Sequence, residues 1–318
     1  LRVLTDTDAW CEWSRNGIEN VHTHYSWERH VERYLRDVRE VLTHFDAAPK
    51  IARGRHTRRL PQIDRLILAD IDNTLTGDDE AMQRFFNLLT EVDDHVGFGI
   101  ATGRRYEEVI GLIEQYDMPH PEVLITSVGT ELYYGKNFTR DSSWQKHIDF
   151  RWDAAAVRKV LDGIDGLYPQ GEVEQSTYKV SYGIDPKVAP SVPRIKKIMR
   201  ENGLRVKAVT SHGMFLDIIP SRAGNGLAVR HMAYKWGFPL EHILVAGDSG
   251  NDEEMLAGNT LGVVVGNYSK ELEKLRAYPR VYFAKGHHAN GIIEGIEYYN
   301  FIDKIRIPNE KGSADSNE

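Results

Sequence analysis

Cysteine is nearly absent. Cys11 stands alone among 318 residues, so no internal disulfide can form and the fold must rest on its core rather than on cross-links. Long apolar runs are missing too: no stretch approaches the roughly 20 residues that a membrane-spanning helix requires, and no signal peptide is visible. The third absence is basic excess. With 40 Lys and Arg against 47 Asp and Glu, the formal net charge is -7. That excludes a general binder of nucleic acid or of anionic membrane, which needs cations to displace counterions or meet head groups. Small molecules are the expected partners, and a reducing cytoplasm is the expected compartment.

What is present suits a folded chain. Hydrophobic residues make up 41% of it, an ordinary share for a globular protein, and the length leaves room for one domain plus an inserted or appended second. The chain opens Leu1-Arg2-Val3 without a methionine and reads as the interior of a longer polypeptide. Thr7-Asp8 is expected to cap a short helix that closes at Asn16-Gly17. A second helix is expected from Ser26, with Trp27, Val31, Tyr34, Leu35, Val38, Val41 and Leu42 on one apolar face that must bury against something. Residues 1–45 thus form a helical tail. The stretch 46–61 carries Pro49, Gly54, Lys50, Arg53, Arg55, Arg58 and Arg59 without apolar periodicity. It reads as a solvated linker rather than a nucleic-acid patch, because the interleaved aromatics of single-strand binders are absent.

Beyond Pro61 short apolar runs alternate with helical patterns. Leu66 to Ala69, Phe98 to Ala101 and Val123 to Ile125 read as strands, with helices at Glu80 to Val92 and Tyr106 to Tyr116. The rhythm resumes with a helix at Gly226 to Trp236, a strand at Ile243 to Ala246, a helix at Asp252 to Leu256 and a strand at Val263 to Val265. This alternation predicts an α/β fold, a doubly wound parallel sheet with its site at the carboxyl ends of the strands. Two separate segments, 62–143 and 221–305, are expected to build this core. Between them, 144–220 is expected to be an inserted α+β cap, with helices near Ala154 to Leu161 and Val192 to Glu201 and strands at Tyr178 to Tyr182, Leu204 to Val209 and Phe215 to Ile219. The polar tail, 306–318, lacks a core-forming pattern and is expected to be disordered.

Asp70 directly follows an apolar strand, and residues two apart in extended chain point the same way, so Asp70 and Asp72 can converge on one site. Two carboxylates in a small volume repel unless a hard divalent cation lies between them, and an oxygen-only site with few ligands favours magnesium. Alone, Asp-x-Asp equally suits a solvated turn. Two further strand ends change that balance. Thr102-Gly103-Arg104 offers a hydroxyl and close-approaching amides to a phosphate oxygen, and Gly247-Asp248-Ser249-Gly250-Asn251-Asp252 adds two carboxylates, Asp248 being the better metal ligand.

Asp70-Ile71-Asp72-Asn73-Thr74, Thr102 and Gly247 through Asp252 resemble three of the four signature motifs of the haloacid dehalogenase superfamily. The resemblance implies that Asp70 attacks phosphorus to give an aspartyl-phosphate. Asp72 would protonate the leaving oxygen and later deprotonate the attacking water. Magnesium would be held by the Asp70 carboxylate, the Asp72 backbone carbonyl and Asp248, with Asp252 and Asn251 orienting water ligands or the loop. The run Ile125 to Gly135 and Tyr178-Lys179-Val180-Ser181-Tyr182 further resemble the sucrose-phosphate phosphatase family. That resemblance implies hydrolysis of sucrose 6-phosphate, with Lys179, Glu131, Gly129 and Thr130 at the substrate. Trp10 through His22 and Tyr25 through His30 resemble the closing helices of sucrose-phosphate synthase, which implies a glycosyltransferase domain as an attached or associated partner.

One element departs from the family pattern. The fourth motif is a lysine that neutralises phosphate and nucleophile, and Asn225 stands in the expected place. An amide donates a hydrogen bond but offsets no charge, and losing one such electrostatic contact costs on the order of a hundred- to thousandfold in rate. Arg222 or Arg104 could supply a cation through the planar guanidinium; Thr102, Gly103, Arg222 and Asn225 are therefore the expected phosphate-binding set. Three readings follow: a working sucrose 6-phosphate phosphatase, a regulatory or assembly domain that binds sugar phosphate with feeble turnover, or a phosphatase for another, similar sugar phosphate, since caps vary while the core chemistry stays fixed. The retention of Asp70, Asp72, Asp248 and Asp252 together favours the first.

Overall fold

The first helix, α1 (Thr7–Asn20), is capped by Asp6, whose carboxylate accepts the Ala9 amide at 3.1 Å. Here, as throughout, the computed structural model describes residues 6–27, 31–32, 34–36, 63–92, 95–211 and 213–308. The cap thus falls one residue before Thr7, and α1 runs past the expected stop. Gly17 does not take the left-handed conformation that a helix-ending glycine needs, so the backbone continues to Asn20 and on through a π-turn, Val21–Tyr25. No α1 residue is buried. Trp10, Trp13, Trp27, Tyr34 and Leu35 are all exposed. Val38, Val41, Leu42, the expected linker 46–61 and the tail beyond Pro308 lie outside the described residues.

In the second unit, His56–Glu318, β1 (Arg65–Ala69) is followed by α2 (Asp79–Glu91), β2 (Val96–Ala101), α3 (Tyr106–Gln115), β3 (Val123–Thr126), β4 (Glu131–Tyr134), β5 (Thr139–Arg140) and α4 (Ser142–Ile148). Then come α5 (Ala154–Leu161), β6 (Leu167–Pro169), β7 (Val180–Ile184), α6 (Val192–Glu201), β8 (Val206–Ser211) and β9 (Phe215–Pro220). The chain closes with α7 (Asn225–Trp236), β10 (Ile243–Gly247), α8 (Glu253–Leu256), β11 (Leu261–Val264), β12 (Val281–Phe283) and α9 (Ala289–Tyr299).

Eight strands form one sheet in the order β12-β11-β10-β1-β2-β3-β4-β5, parallel from β12 through β3 and antiparallel at β4 and β5. Side chains alternate across it. Leu66 and Leu68 of β1 join one apolar cluster with Val123, Val245, Val229 and Met232. Ile67 and Ala69 join the other, with Phe85, Phe98, Leu244, Ile292 and Ile296. Both faces being buried explains why β1 and β10 are continuous apolar runs rather than alternating ones. The chain winds outward from β1 on one side and from β10 on the other, so the junction of β1 and β10 is the switch point where such sheets place their sites.

The cap is a four-stranded antiparallel sheet, β6-β7-β9-β8, with α5 and α6 packed on one face through Val157, Leu161, Ile195, Met199, Val180, Tyr182, Leu216 and Ile218. It begins later than the expected residue 144. Trp144 and Ile148 of α4 are buried in the core cluster with Leu132, Tyr134 and Met232, because the indole reaches inward to donate to the Gly129 carbonyl at 3.1 Å. Lys207 of β8 ties the cap back to the core, donating to the Ala223 carbonyl at 2.6 Å and to Glu254 at 2.7 Å.

Candidate active site

Asp70 extends β1 by one residue, its amide donating to the Ala246 carbonyl of β10 at 3.0 Å. The chain then turns sharply through Ile71–Leu75, with Asn73 left-handed at φ 55°, a conformation that asparagine tolerates well. The Asn73 carbonyl is pinned by Asn267 Nδ2 at 2.7 Å. The turn swings Asp72 out of line with Asp70 while leaving Asp70 buried and only 3% exposed.

At the end of β10, Asp252 folds back on its own loop. One carboxylate oxygen accepts the amides of Asp248 at 3.1 Å and Ser249 at 3.2 Å, and Gly247 makes room for it, since a Cβ there would meet the Asp252 carboxylate at 2.5 Å. Carboxylate oxygens of Asp70, Asp248 and Asp252 all lie within 4.8 Å of one another, and all three residues are buried. Burial pushes the Asp70 carboxyl well above its ordinary range, the charges of Asp252, Asp248 and Asp72 push it further, and a hydrogen bond from Thr102 works the other way. The Asp252 carboxyl is likewise raised, by burial and then by Asp248. Asp70 Oδ1 and Asp252 Oδ1 are buried without a hydrogen-bond partner. Buried acceptors left orphaned beside repelling charges are costly. A hard cation answers both problems, and the all-oxygen donor set fits one.

Thr102 follows β2 directly, and Arg104 turns from that loop onto Asp72. Its Nε and Nη2 each donate to one Asp72 oxygen at 2.7 Å, so the Asp72 carboxylate does not enter the three-carboxylate cluster. A cavity of about 410 Å³ lies above, walled below by Asp70, Asp72, Thr102, Gly103, Arg104, Asp248 and Asn251 and above by Gln170, Glu174, Lys179, Phe215 and Asp217 of the cap. Alternation along the cap strands decides which side chains face it: Val180, Leu216 and Ile218 point to the cap's helices, leaving Lys179, Phe215 and Asp217 on the other side. Lys179 is only 3% exposed, and among the described residues no carboxylate pairs with it.

The family described as sucrose-6F-phosphate phosphohydrolase matches residues 63–300. The chain belongs to that family of phosphatases. It is 33% identical over 250 residues to sucrose-phosphatase 1 of Nicotiana tabacum, covering 74% of this chain but 59% of the tobacco protein. With the mannosylfructose-phosphate phosphatase of Agrobacterium fabrum it shares 28% identity over 239 residues, covering 74% of this chain and 96% of that one. Among solved structures, the sucrose-phosphatase of Synechocystis sp., determined with sucrose and phosphate, superposes at a TM-score of 0.71 with 29% identity, covering 75% of this chain and 98% of that one. The core and cap are thus of the haloacid dehalogenase type expected from the motifs.

Within this phosphohydrolase fold, several expected contacts fall elsewhere. Glu131 faces its own hairpin: its carboxylate accepts from Thr126 Oγ1 at 3.1 Å and Tyr133 Oη at 3.2 Å and pairs with Arg140 at 2.7 Å. Thr130 is buried, its hydroxyl donating to the Ser127 carbonyl at 2.9 Å. Gly129 is a packing residue, since a Cβ there would meet the Asn225 amide nitrogen at 2.4 Å. None of the three lines the cavity. Arg222 is exposed and stacks on Phe150 at 3.9 Å from the ring centroid, and Arg104 is spent on Asp72. Asn225 is buried and donates weakly to the Asn251 carbonyl at 3.5 Å. It lines a neighbouring cavity of about 520 Å³ behind the Asn251 loop rather than the one above Asp70. The cap residues Gln170, Glu174, Phe215 and Asp217 were not singled out in the sequence. The one available signal was Asp217, a lone acid inside the apolar run Phe215-Leu216-Asp217-Ile218-Ile219.

Proposed function

We propose that this chain is a magnesium-dependent phosphatase that hydrolyses sucrose 6-phosphate to sucrose and phosphate. The observation that carries the reading is the buried trio Asp70, Asp248 and Asp252 directly beneath a cap face presenting Lys179 and Asp217. A phosphoryl group suits the lower half of the cavity and a polyhydroxyl group the upper half. The relatives named for sucrose phosphate support that substrate. The mannosylfructose-phosphate phosphatase, matched over nearly its full length, favours as second choice another phosphorylated disaccharide.

Asp70 is the nucleophile. Its carboxylate oxygen forms a bond to phosphorus as the bond to the sugar oxygen breaks, and Asp72, protonated and freed from Arg104 at one oxygen, gives its proton to the departing alkoxide. Water then attacks the aspartyl-phosphate, Asp72 takes the water proton, and Asp70 is released as carboxylate. Thr102 and the Gly103 amide hold the transferring oxygens. The Asp70 and Asp248 carboxylates and the Asp72 carbonyl are the groups that would hold magnesium, with Asp252 and Asn251 behind them. When bound, the ion supplies positive charge against phosphate and carboxylates.

The wider protein belongs to the same proposal. The exposed Trp10 and Trp13 suit a helical tail that packs on an attached glycosyltransferase domain in the cytoplasm. A weakly active, regulatory form of the domain is the second reading, favoured by Asn225 together with the engagement of Arg104 and Arg222 elsewhere. Phosphate release from sucrose 6-phosphate with magnesium, measured for the full chain beside Asp70→Asn and Asn225→Lys, tests both. Release above the Asp70→Asn background is expected. Its absence overturns the catalytic reading, and a tenfold or greater gain in Asn225→Lys identifies the missing cation as what limits turnover.

A further inference from the structure

Three consecutive residues between β3 and β4 are left-handed: Ser127 at φ 52°, Val128 at φ 58° and Gly129 at φ 76°. Glycine takes that conformation freely. For a β-branched residue it is a steric outlier, since the branched Cβ crowds the adjoining carbonyl. Val128 nonetheless stands there, 2% exposed and part of the core cluster. A strained residue persists only where its surroundings over-determine it, and the surroundings of Val128 are two of the loops that build the site and the start of α7.

The turn grips the Thr102 loop from both sides. The Val128 amide donates to the Thr102 carbonyl at 3.2 Å and the Ser127 amide to the Arg104 carbonyl at 2.7 Å, so the two bonds bracket Gly103. The Val128 side chain fills the space beside that glycine: from the place where a Gly103 Cβ would sit, Val128 Cγ2 and Asn251 Nδ2 are each 3.8 Å away. Val128 also lines the neighbouring cavity together with Gly224, Asn225, Gly250 and Asn251. One residue on, Gly129 lies against the Gly224–Asn225 backbone with no room for a side chain, and its carbonyl is held by the Trp144 indole.

We infer that Val128 is a positioning residue, a wedge whose left-handed backbone fixes the spacing between the Thr102–Gly103 loop, the Asn251 loop and the start of α7. It does not line the cavity above Asp70. A glycine would relax the backbone but remove the wedge, which is the physical reason for a valine in a position that suits glycine or asparagine. The inference rests on the phosphatase reading, because it assigns Thr102 and Gly103 to the transferring phosphoryl group.

Three substitutions separate strain from wedge. Val128→Thr keeps the branched shape, Val128→Ala keeps the Cβ and loses the wedge, and Val128→Gly loses the wedge and relaxes the backbone. With magnesium and orthovanadate as a probe of the phosphoryl pocket, Val128→Thr is expected to keep vanadate affinity and kcat within threefold of the unsubstituted chain. Val128→Ala and Val128→Gly are expected to lose tenfold or more in both, at temperatures well below their melting points. Val128→Gly is expected to melt no lower than Val128→Ala, since it alone sheds the strain. If Val128→Gly does not fold, Val128→Ala carries the comparison. Wild-type affinity and kcat in the variants that lack the wedge overturn the inference alone. An unsubstituted chain that neither binds vanadate nor releases phosphate overturns the phosphatase reading and this inference with it.

Discussion

Arg104 clasps Asp72 with two parallel hydrogen bonds, each 2.7 Å long, in the wall of the cavity that Asp70 also lines. The pair is part-exposed, so its worth to stability is small. Its geometry matters more, since a bidentate guanidinium fixes both the position and the rotation of a carboxylate.

If Asp72 moves the proton at the leaving oxygen, loosening its holder slows that step. Arg104→Gln is expected to lower kcat on the order of a hundredfold. Arg104→Lys, a point charge that cannot hold both oxygens, should fall between it and the unsubstituted chain. Steady-state phosphate release, with melting temperature as a control for folding, checks this. Equal kcat in all three would detach Arg104 from the reaction.

Asp70 sets activity against stability. Its carboxyl is raised by burial and by three neighbouring acids, so the folded chain binds protons there more tightly than the unfolded chain. Stability therefore falls as pH rises from about 3.9 through the raised value. Asp70→Asn is expected to abolish turnover with magnesium; without metal it is expected to melt higher than the unsubstituted chain, by an increment that grows as pH rises above about 3.9. Added magnesium should raise the melting temperature of the unsubstituted chain more than that of the variant. Phosphate release checks the first outcome, and thermal denaturation in chelator and in magnesium from acid to neutral pH checks the other two. A variant that melts lower at every pH would show that the repulsion is already relieved by other means.

Lys179 reaches the cavity from the cap, opposite the reacting end. Lys179→Met keeps the apolar stem and removes the ammonium. KM for sucrose 6-phosphate should rise about tenfold, the worth of one hydrogen bond from a charged donor. Turnover of a small aryl phosphate, which leaves the upper cavity empty, should change little. Loss on both substrates would place the lysine in the chemistry rather than in recognition.

A fourth prediction concerns the core beneath the cap. Asp141 is buried and caps α4, while His231, Ser143 and Lys235 converge on its carboxylate. Burial works to raise this carboxyl, but the hydrogen bonds outweigh it and hold it well below the ordinary range. A depressed carboxyl stabilises the fold at pH values above its unfolded pKa, and the benefit fades as pH falls through the folded value. Asp141→Asn keeps the cap and is expected to cost about 2 kcal/mol near neutrality. The difference should shrink below about pH 4. Urea unfolding at neutral and acid pH reads it directly.

The sheet was legible in the sequence because its strands are buried on both faces: apolar runs at Leu66–Ala69, Phe98–Ala101 and Ile243–Ala246 admit few other readings. The acids and hydroxyl at their ends came with them, since a strand end points where its strand points. The hairpin of β4 and β5 was not legible. Resemblance alone put Glu131, Thr130 and Gly129 at a ligand, and the pairing of β4 with β3 turns them onto Thr126, Ser127 and the start of α7. Arg104 and Arg222 escaped for another reason. A long guanidinium side chain can serve any acid or ring within its reach, and only tertiary structure shows that Asp72 and Phe150 claim them. The cap's contribution was half visible: Lys179 stood out, whereas Asp217 gains meaning only once β9 lies beside β7.

The pairing of β1 with β10 has a bearing on how the chain comes to be folded. Ile67 lies beside Leu244 and Ala69 beside Ala246, so the whole cap must be synthesised between the two central strands. Contacts so distant along the chain form late and slowly. During synthesis β1 and β2 emerge with one flank bare, an unpaired apolar edge of the kind that chaperones guard and that aggregates when they fail. The same delay keeps Asp70 from meeting Asp248 and Asp252 until synthesis is well into the final third of the chain. Metal added during refolding should therefore speed none of the early steps and act only on the last one, the closure of β10 against β1.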